Sequence, residues 1–134
     1  RPGDSIERRT ERLKKESNGS RIPTVFVAFD GSEFLGSAKL VVNDMDIRPE
    51  LSPWLAGVFV VPQHRRRGIG AALVRRVVEE ALNLAVPRLY LYTPSAENFY
   101  AKLAWSVSER TRYHDHDVTV MAYELANSSH SIGK

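Results

Sequence analysis

Trp54 to Val61 is an unbroken apolar run that stops at Pro62. A run without polar alternation reads as a strand buried on both faces, and Gly57 within it marks a bulge or a close backbone approach. From Gly68 to Ala85 the period changes. Ile69, Leu73, Val77, Ala81 and Leu84 recur with Val74 and Val78 beside them, while Arg75, Arg76, Glu79 and Glu80 take the other side. That is an amphipathic helix. Past Pro87, residues 88–92 read as a strand again. Strand, helix and strand make a β-α-β unit, whose two strands must run parallel.

The remaining segments build outward from that centre. Ser5 to Ser17 is charged, with Ile6 and Leu13 as a thin apolar stripe, and reads as a helix ended by Asn18-Gly19-Ser20. Residues 24–29 read as a strand, Asp30-Gly31-Ser32 as a hairpin turn, and residues 34–42 as the returning strand. Residues 43–53, rich in Asp and Pro, form a loop. Residues 95–103 fit a short helix after Pro94, and residues 105–113 and 118–125 a final hairpin across His114-Asp115-His116-Asp117. The predicted fold is α/β: a mixed, mostly antiparallel sheet with a central parallel β-α-β pair and flanking helices. A chain of 134 residues suits one domain, here 1–125, with a Ser- and Asn-rich tail over 126–134. Because the sequence starts at Arg1, an incomplete N-terminal element is expected.

Composition removes several classes of function. Cysteine is absent, which excludes disulfides, thiolate catalysis and Cys-based metal sites. There is no apolar stretch of the roughly 20 residues that a spanning helix needs, and the first residues lack a signal peptide's apolar core. A cytoplasmic protein without a membrane partner is the expectation. Net charge is +3, with much of the positive charge in the run His64-Arg65-Arg66-Arg67. Nucleic-acid binding would spread such charge along a face with stacking aromatics. Here it is compact and acids surround it, so no nucleic-acid partner is expected.

The position of the basic run gives it a meaning. It joins a buried strand to a helix that opens with Gly68-Ile69-Gly70. Helix N-termini present unpaired N–H groups and about half a positive charge, and glycine lets a ligand approach the backbone closely. Arginines add charge-assisted hydrogen bonds to phosphate oxygens. The combination suits a pyrophosphate. A P-loop is excluded, since no Lys follows Gly70, and so is the dinucleotide fingerprint, since Leu73 stands where the third glycine belongs.

The stretch Val60-Val61-Pro62-Gln63-His64-Arg65-Arg66-Arg67-Gly68-Ile69-Gly70-Ala71 resembles the signature of the GNAT superfamily of acetyl-CoA-dependent N-acetyltransferases, Gln/Arg-x-x-Gly-x-Gly/Ala after a strand ending Val-x-Pro. A second stretch, Phe99-Tyr100-Ala101-Lys102-Leu103-Ala104-Trp105, is similar to the family's Phe-Tyr-x-Lys-Leu-Gly-Phe/Trp. The resemblance implies acetyl-CoA as cosubstrate and no metal. Val58, Phe59 and Val60 would pair with the pantetheine arm, and Arg65, Arg66, Arg67, Gly68, Ile69, Gly70 and Ala71 would hold the pyrophosphate. Tyr100 would protonate the departing thiolate. The acceptor would be an amine on a small molecule or peptide, taken by direct attack, and the protein a monomer or homodimer. A catalytically silent acetyl-CoA-binding sensor or interaction domain is the alternative.

Three departures from the family pattern stand out. Tyr92 occupies the position where some members carry a glutamate base, leaving Asp44, Asp46, Glu50, His114 and His116 as candidates for that role. Ala104 replaces a glycine, which is tolerable where φ is negative. Thr93 and Ser95 are the nearest polar residues to an asparagine that often bonds the cofactor arm. His114 and His116, two apart on a loop, lack the further ligands a metal site needs.

Overall fold

A computed structural model describes residues 4–10 and 22–126. Its strands are β1 (Asp4–Thr10), β2 (Thr24–Asp30), β3 (Glu33–Val41), β4 (Trp54–Val60), β5 (Arg88–Thr93), β6 (Ser106–Tyr113) and β7 (His116–Glu124). Two helices interrupt them, α1 (Ile69–Asn83) and α2 (Glu97–Ala101). All seven strands lie in one sheet, ordered β1-β2-β3-β4-β5-β7-β6. Among the described residues only β4 and β5 pair in parallel, as the crossover through α1 requires.

The N-terminal expectation is corrected. Residues 4–10 are not helical; they pair antiparallel with β2 from Asp4↔Asp30 to Thr10↔Thr24. A single apolar stripe cannot separate helix from edge strand, and here the free edge of β2 decides it. The later part of the expected helix, and its stop signal at 18–20, lie outside the described residues. Helix α1 begins and ends close to its expected bounds, whereas α2 is shorter than the expected 95–103. The last hairpin turns tightly, with β6 ending at Tyr113 and β7 starting at His116. Its two turn residues, His114 and Asp115, take φ 52° and 66°, the paired left-handed geometry that suits two-residue hairpins.

Both helices serve one side of the sheet. Ile69, Leu73, Val74, Val77 and Ala81 of α1 pack with Phe26, Leu35, Leu40, Leu55, Leu89 and Met121 from the strands, and Tyr100 and Trp105 join them. Burying a side chain such as the fully enclosed Leu73 contributes about 1.5–3 kcal/mol. The opposite side holds a smaller cluster, Trp54, Tyr90, Val118, Val120 and Ala122, covered by Met45 from the 43–53 loop.

The central strand is buried on both faces only where it starts. Trp54, Leu55 and Ala56 are buried, but Gly57 and Phe59 are exposed, with the Lys39 side chain beside Gly57 and the Phe34 ring stacked on Phe59. Gly57 is a bulge, as its sequence position suggested. The pairing shifts from Ser37↔Phe59 to Lys39↔Ala56, and Gly57 takes φ +61°. The extra residue reverses the strand's alternation. Leu55 packs on the helix side, and so do Val58 and Val60, which an unbulged strand would have turned the other way.

Candidate active site

The bulge matters because β4 and β5 then part. Their register holds a single pair, Trp54↔Tyr90, with the Tyr90 amide donating to the Pro53 carbonyl at 3.0 Å. Past that point β4 has β3 on one side and no strand on the other among the described residues. The divided sheet opens a cleft of about 720 Å³ walled by Val58, Phe59 and Val60 on one side and by Ser95, Ala96, Phe99 and Tyr100 on the other. The floor is His64, Arg65, Arg66 and Gly68 to Ala71.

The floor follows from local backbone chemistry. A 3-10 turn at Pro62–His64 leads out of β4, and Gly68 caps α1 at φ +81°, a left-handed conformation that costs a side-chain-bearing residue about 1–2 kcal/mol. No side chain caps this helix start, so its first-turn N–H groups face the cleft. Gly70 is helical, and a Cβ there would meet Phe99 and Val60 at 3.6 Å, an ordinary contact.

The three arginines divide. Arg65 and Arg66 are exposed on the cleft, and Arg65 donates from Nε to the Val60 carbonyl at 3.1 Å. Arg67 does not line the cleft. It donates to His64 Nδ1 at 2.5 Å, and His64 Nε2 in turn meets Glu33 Oε2 at 2.7 Å. That chain requires the Nε2–H tautomer and ties the turn to the start of β3. Ten of the eleven cofactor and catalytic positions expected from the sequence therefore line one cleft, Arg67 being the exception.

Tyr100 is buried, and burial pushes its phenol above the ordinary value. The hydroxyl thus stays protonated across the neutral range and can donate. Its placement comes from the end of α2: the Trp105 amide donates to the Tyr100 carbonyl at 3.1 Å and the Ala104 amide to the Ala101 carbonyl at 3.1 Å. This is a Schellman end, sealed by the Tyr100 and Trp105 rings 6.1 Å apart. Such an end needs a left-handed residue, and Ala104 supplies it at φ +78°. The condition under which alanine is tolerable here, a negative φ, is not met, and the family's glycine at this position has a conformational reason.

Ser95, one of the two polar residues noted near the cofactor arm, lines the cleft, and so do Phe99, Ala96 and His64, to which the sequence assigned no role. Phe99 stays 40% exposed beside the tyrosine, a property that only the structure reveals. Thr93 is occupied: its Oγ1 accepts the amides of Ser95 at 3.3 Å and Ala96 at 3.0 Å, ordering the approach to α2. Among the five candidate bases, Asp46, Glu50, His114 and His116 are exposed, whereas Asp44 is partly buried. No group of three or more His, Asp or Glu residues that could hold a metal ion occurs among the described residues.

Residues 2–105 match the acetyltransferase (GNAT) family. The chain belongs to the GNAT family. Solved structures similar to it share the fold at low identity. A GNAT-family protein from Desulfovibrio desulfuricans superimposes with TM-score 0.72 at 14% identity, covering 91% of this chain and 99% of the other. An alanine N-acetyltransferase of a ribosomal protein from Escherichia coli gives 0.68 at 18%, with 91% and 94% covered. A GNAT acetyltransferase from Elizabethkingia anophelis, solved with acetyl-CoA bound, gives 0.65 at 14%, with 93% and 100% covered. No curated protein sequence matches this chain. No helix among the described residues is long and apolar enough to cross a membrane.

Proposed function

We propose that this GNAT domain is an N-acetyltransferase that moves the acetyl group of acetyl-CoA to a primary amine by direct attack. The observation that carries this reading is the gathering of the strand edge 58–60, the open N-terminus of α1 and Tyr100 around a single cleft. The first-turn amides of α1, with Arg65 and Arg66, bind the pyrophosphate oxygens. The unpaired edge of β4 takes the pantetheine arm as an added strand. A β4 amide then stands ready to stabilise the oxyanion of the thioester carbonyl.

Tyr100 acts at the leaving group. Its raised phenol is a poor acid in the ground state, yet it donates a hydrogen bond that strengthens as the C–S bond breaks and charge gathers on sulfur. Only then does the proton move. This favours the transition state over the ground state.

Thermal melting with and without acetyl-CoA tests the cofactor. A ligand at about 100 times its dissociation constant adds roughly 2.7 kcal/mol, so Tm should rise with acetyl-CoA and stay put with ATP or NAD. Tyr100→Phe should keep that rise while thiol release with an amine falls. An unmoved Tm in the folded wild type would reject the reading. An unmoved turnover in the variant would remove Tyr100 from the mechanism.

A further inference from the structure

The side of the sheet away from the helices carries groups that the cofactor cleft does not use. On β3, Ala38 and Leu40 pack on the helix side, so Lys39 between them stands on the opposite face. There it reaches across β4. A Cβ built on Gly57 would meet Lys39 Cε at 2.9 Å and Nζ at 3.8 Å. Any side chain at that position would displace the lysine; the bulged glycine, at φ +61°, leaves the room that the lysine fills. Gly57 adjoins Val58, which walls the cleft, and lies past Trp54, the one β4 residue that pairs with β5. The Lys39 ammonium therefore lies over the central strand where β4 has already left β5.

Lys39 is half-buried, its stem held along the strand, which fixes where the ammonium sits and limits the freedom lost when it binds. Asp44 interacts with it at electrostatic range only, and no hydrogen bond or ion pair closes on the ammonium among the described residues. Its donors are open to an incoming anion. The rest of this corner is apolar. Val58 and Val60 pack on the helix side, which leaves Phe59 on the face that Lys39 occupies. Phe59 and Phe34 stack with centroids 6.4 Å apart at 16°, and Phe29 meets Phe34 edge-on at 6.4 Å. Yet Phe59 and Phe34 stay 45% and 40% exposed. They form an open apolar platform, and Phe59 belongs both to it and to the cleft wall.

We infer that the acceptor is an amine that also carries a carboxylate, which Lys39 binds while the acceptor's apolar part lies on the Phe59 and Phe34 rings. This rests on the acetyltransferase reading above. The two substrates then come from opposite sides of the sheet. Ile69 and Tyr100 of the cofactor cleft pack on the helix side, whereas Lys39 and the two rings reach the same β4 edge from the other side. An acceptor held there meets the thioester through the gap between β4 and β5. Lys39 selects in two ways: it attracts an anionic tail with charge-assisted hydrogen bonds, and it repels a second ammonium. A neutral tail gains neither.

The test measures thiol release from acetyl-CoA by the whole chain as wild type, Lys39→Met, Lys39→Glu and Phe34→Ala. The acceptors are pentylamine, 1,4-diaminobutane, 4-aminobutyrate and 4-amino-3-phenylbutyrate. One half-buried charge pair discriminates by about tenfold, so wild type should favour 4-aminobutyrate over pentylamine by that much in kcat/KM, and over diaminobutane by more. Lys39→Met should lose this preference through the acceptor KM, with the acetyl-CoA KM unchanged, and Lys39→Glu should turn it toward diaminobutane. A merely structural lysine would alter no ranking. Phe34→Ala should remove the advantage of the phenyl-bearing acceptor and keep that of 4-aminobutyrate over pentylamine. Melting each protein with and without acetyl-CoA separates lost folding from lost recognition, and the wild-type ranking decides even where a variant fails to fold. A wild type that binds acetyl-CoA yet takes pentylamine or diaminobutane as well as 4-aminobutyrate would overturn the inference. So would one that turns over none of the four, or a folded Lys39→Met with the wild-type ranking. A wild type that fails to bind acetyl-CoA would sink the acetyltransferase reading itself, a distinct result.

Discussion

Replacing Gly68 and Gly70 by alanine, one at a time, should move stability in opposite directions. The two glycines lie two residues apart in the same turn, and composition gives no reason to treat them differently. Gly68 has φ +81° with nothing within 4 Å of a Cβ built on it. The cost of Gly68→Ala is therefore conformational: about 1–2 kcal/mol for the left-handed backbone, offset by about 0.4–1 kcal/mol from the stiffer unfolded chain. A net loss near 1 kcal/mol follows from those two terms. At Gly70 the backbone is helical and the Cβ would rest on Val60 and Phe99 at 3.6 Å, so the helix propensity of alanine should win by about 0.5–1 kcal/mol. Thermal melts resolve this, since 1 kcal/mol corresponds to about 3–4 °C in a domain of this size. Gly68→Ala should melt lower than wild type and Gly70→Ala higher. The family's demand for glycine at the first position, and its tolerance of alanine at the second, then has a backbone cause. Shifts of the same sign would refute the assigned conformations of this turn.

Ala85 at φ 62° and Ala104 at φ 78° end α1 and α2 in left-handed backbone, so Ala85→Gly and Ala104→Gly should each raise Tm, by about 0.5–1 kcal/mol of stability; an unchanged melt would argue against those helix ends. Tyr100→Phe should keep the acetyl-CoA response and lower thiol release by about 10- to 100-fold, read in a coupled thiol assay. Glu109 is held below the ordinary carboxylate range, first by its hydrogen bonds from Arg48. Its contribution to stability is present above the unfolded value and fades as pH falls through the lower folded one. In Arg48→Met the Glu109 carboxyl should titrate closer to its ordinary value by NMR, with little change in Tm at neutral pH because the pair is solvated. The Asp44 carboxyl has the opposite sign: folding raises it, so its ionised form costs stability above the folded value. Asp44→Asn should melt no lower than wild type at neutral pH, and a clear drop there would show that the charge is needed for folding.

The sequence determined the central unit because its signals are local. The apolar run, the proline stop, the 3.6-residue stripe and the glycine at the helix start each report on backbone within a few residues, and together they locate β4, α1 and the turn between them. The Gly57 bulge was legible for the same reason. The conformational demand at Ala104 was not, because an alanine at a glycine position carries no sign of its φ; only the Schellman bonds closing α2 on Tyr100 reveal it. Residues 4–10 were misread, since their fate depends on the open edge of β2, a partner twenty residues away along the chain. Arg67 looked the same as Arg65 and Arg66 until His64 and Glu33 were brought beside it. Sequence thus determined what each segment does with its own backbone. Tertiary structure alone decided which side chains share a space, because burial, ring contacts and the parting of β4 from β5 arise only when distant segments meet.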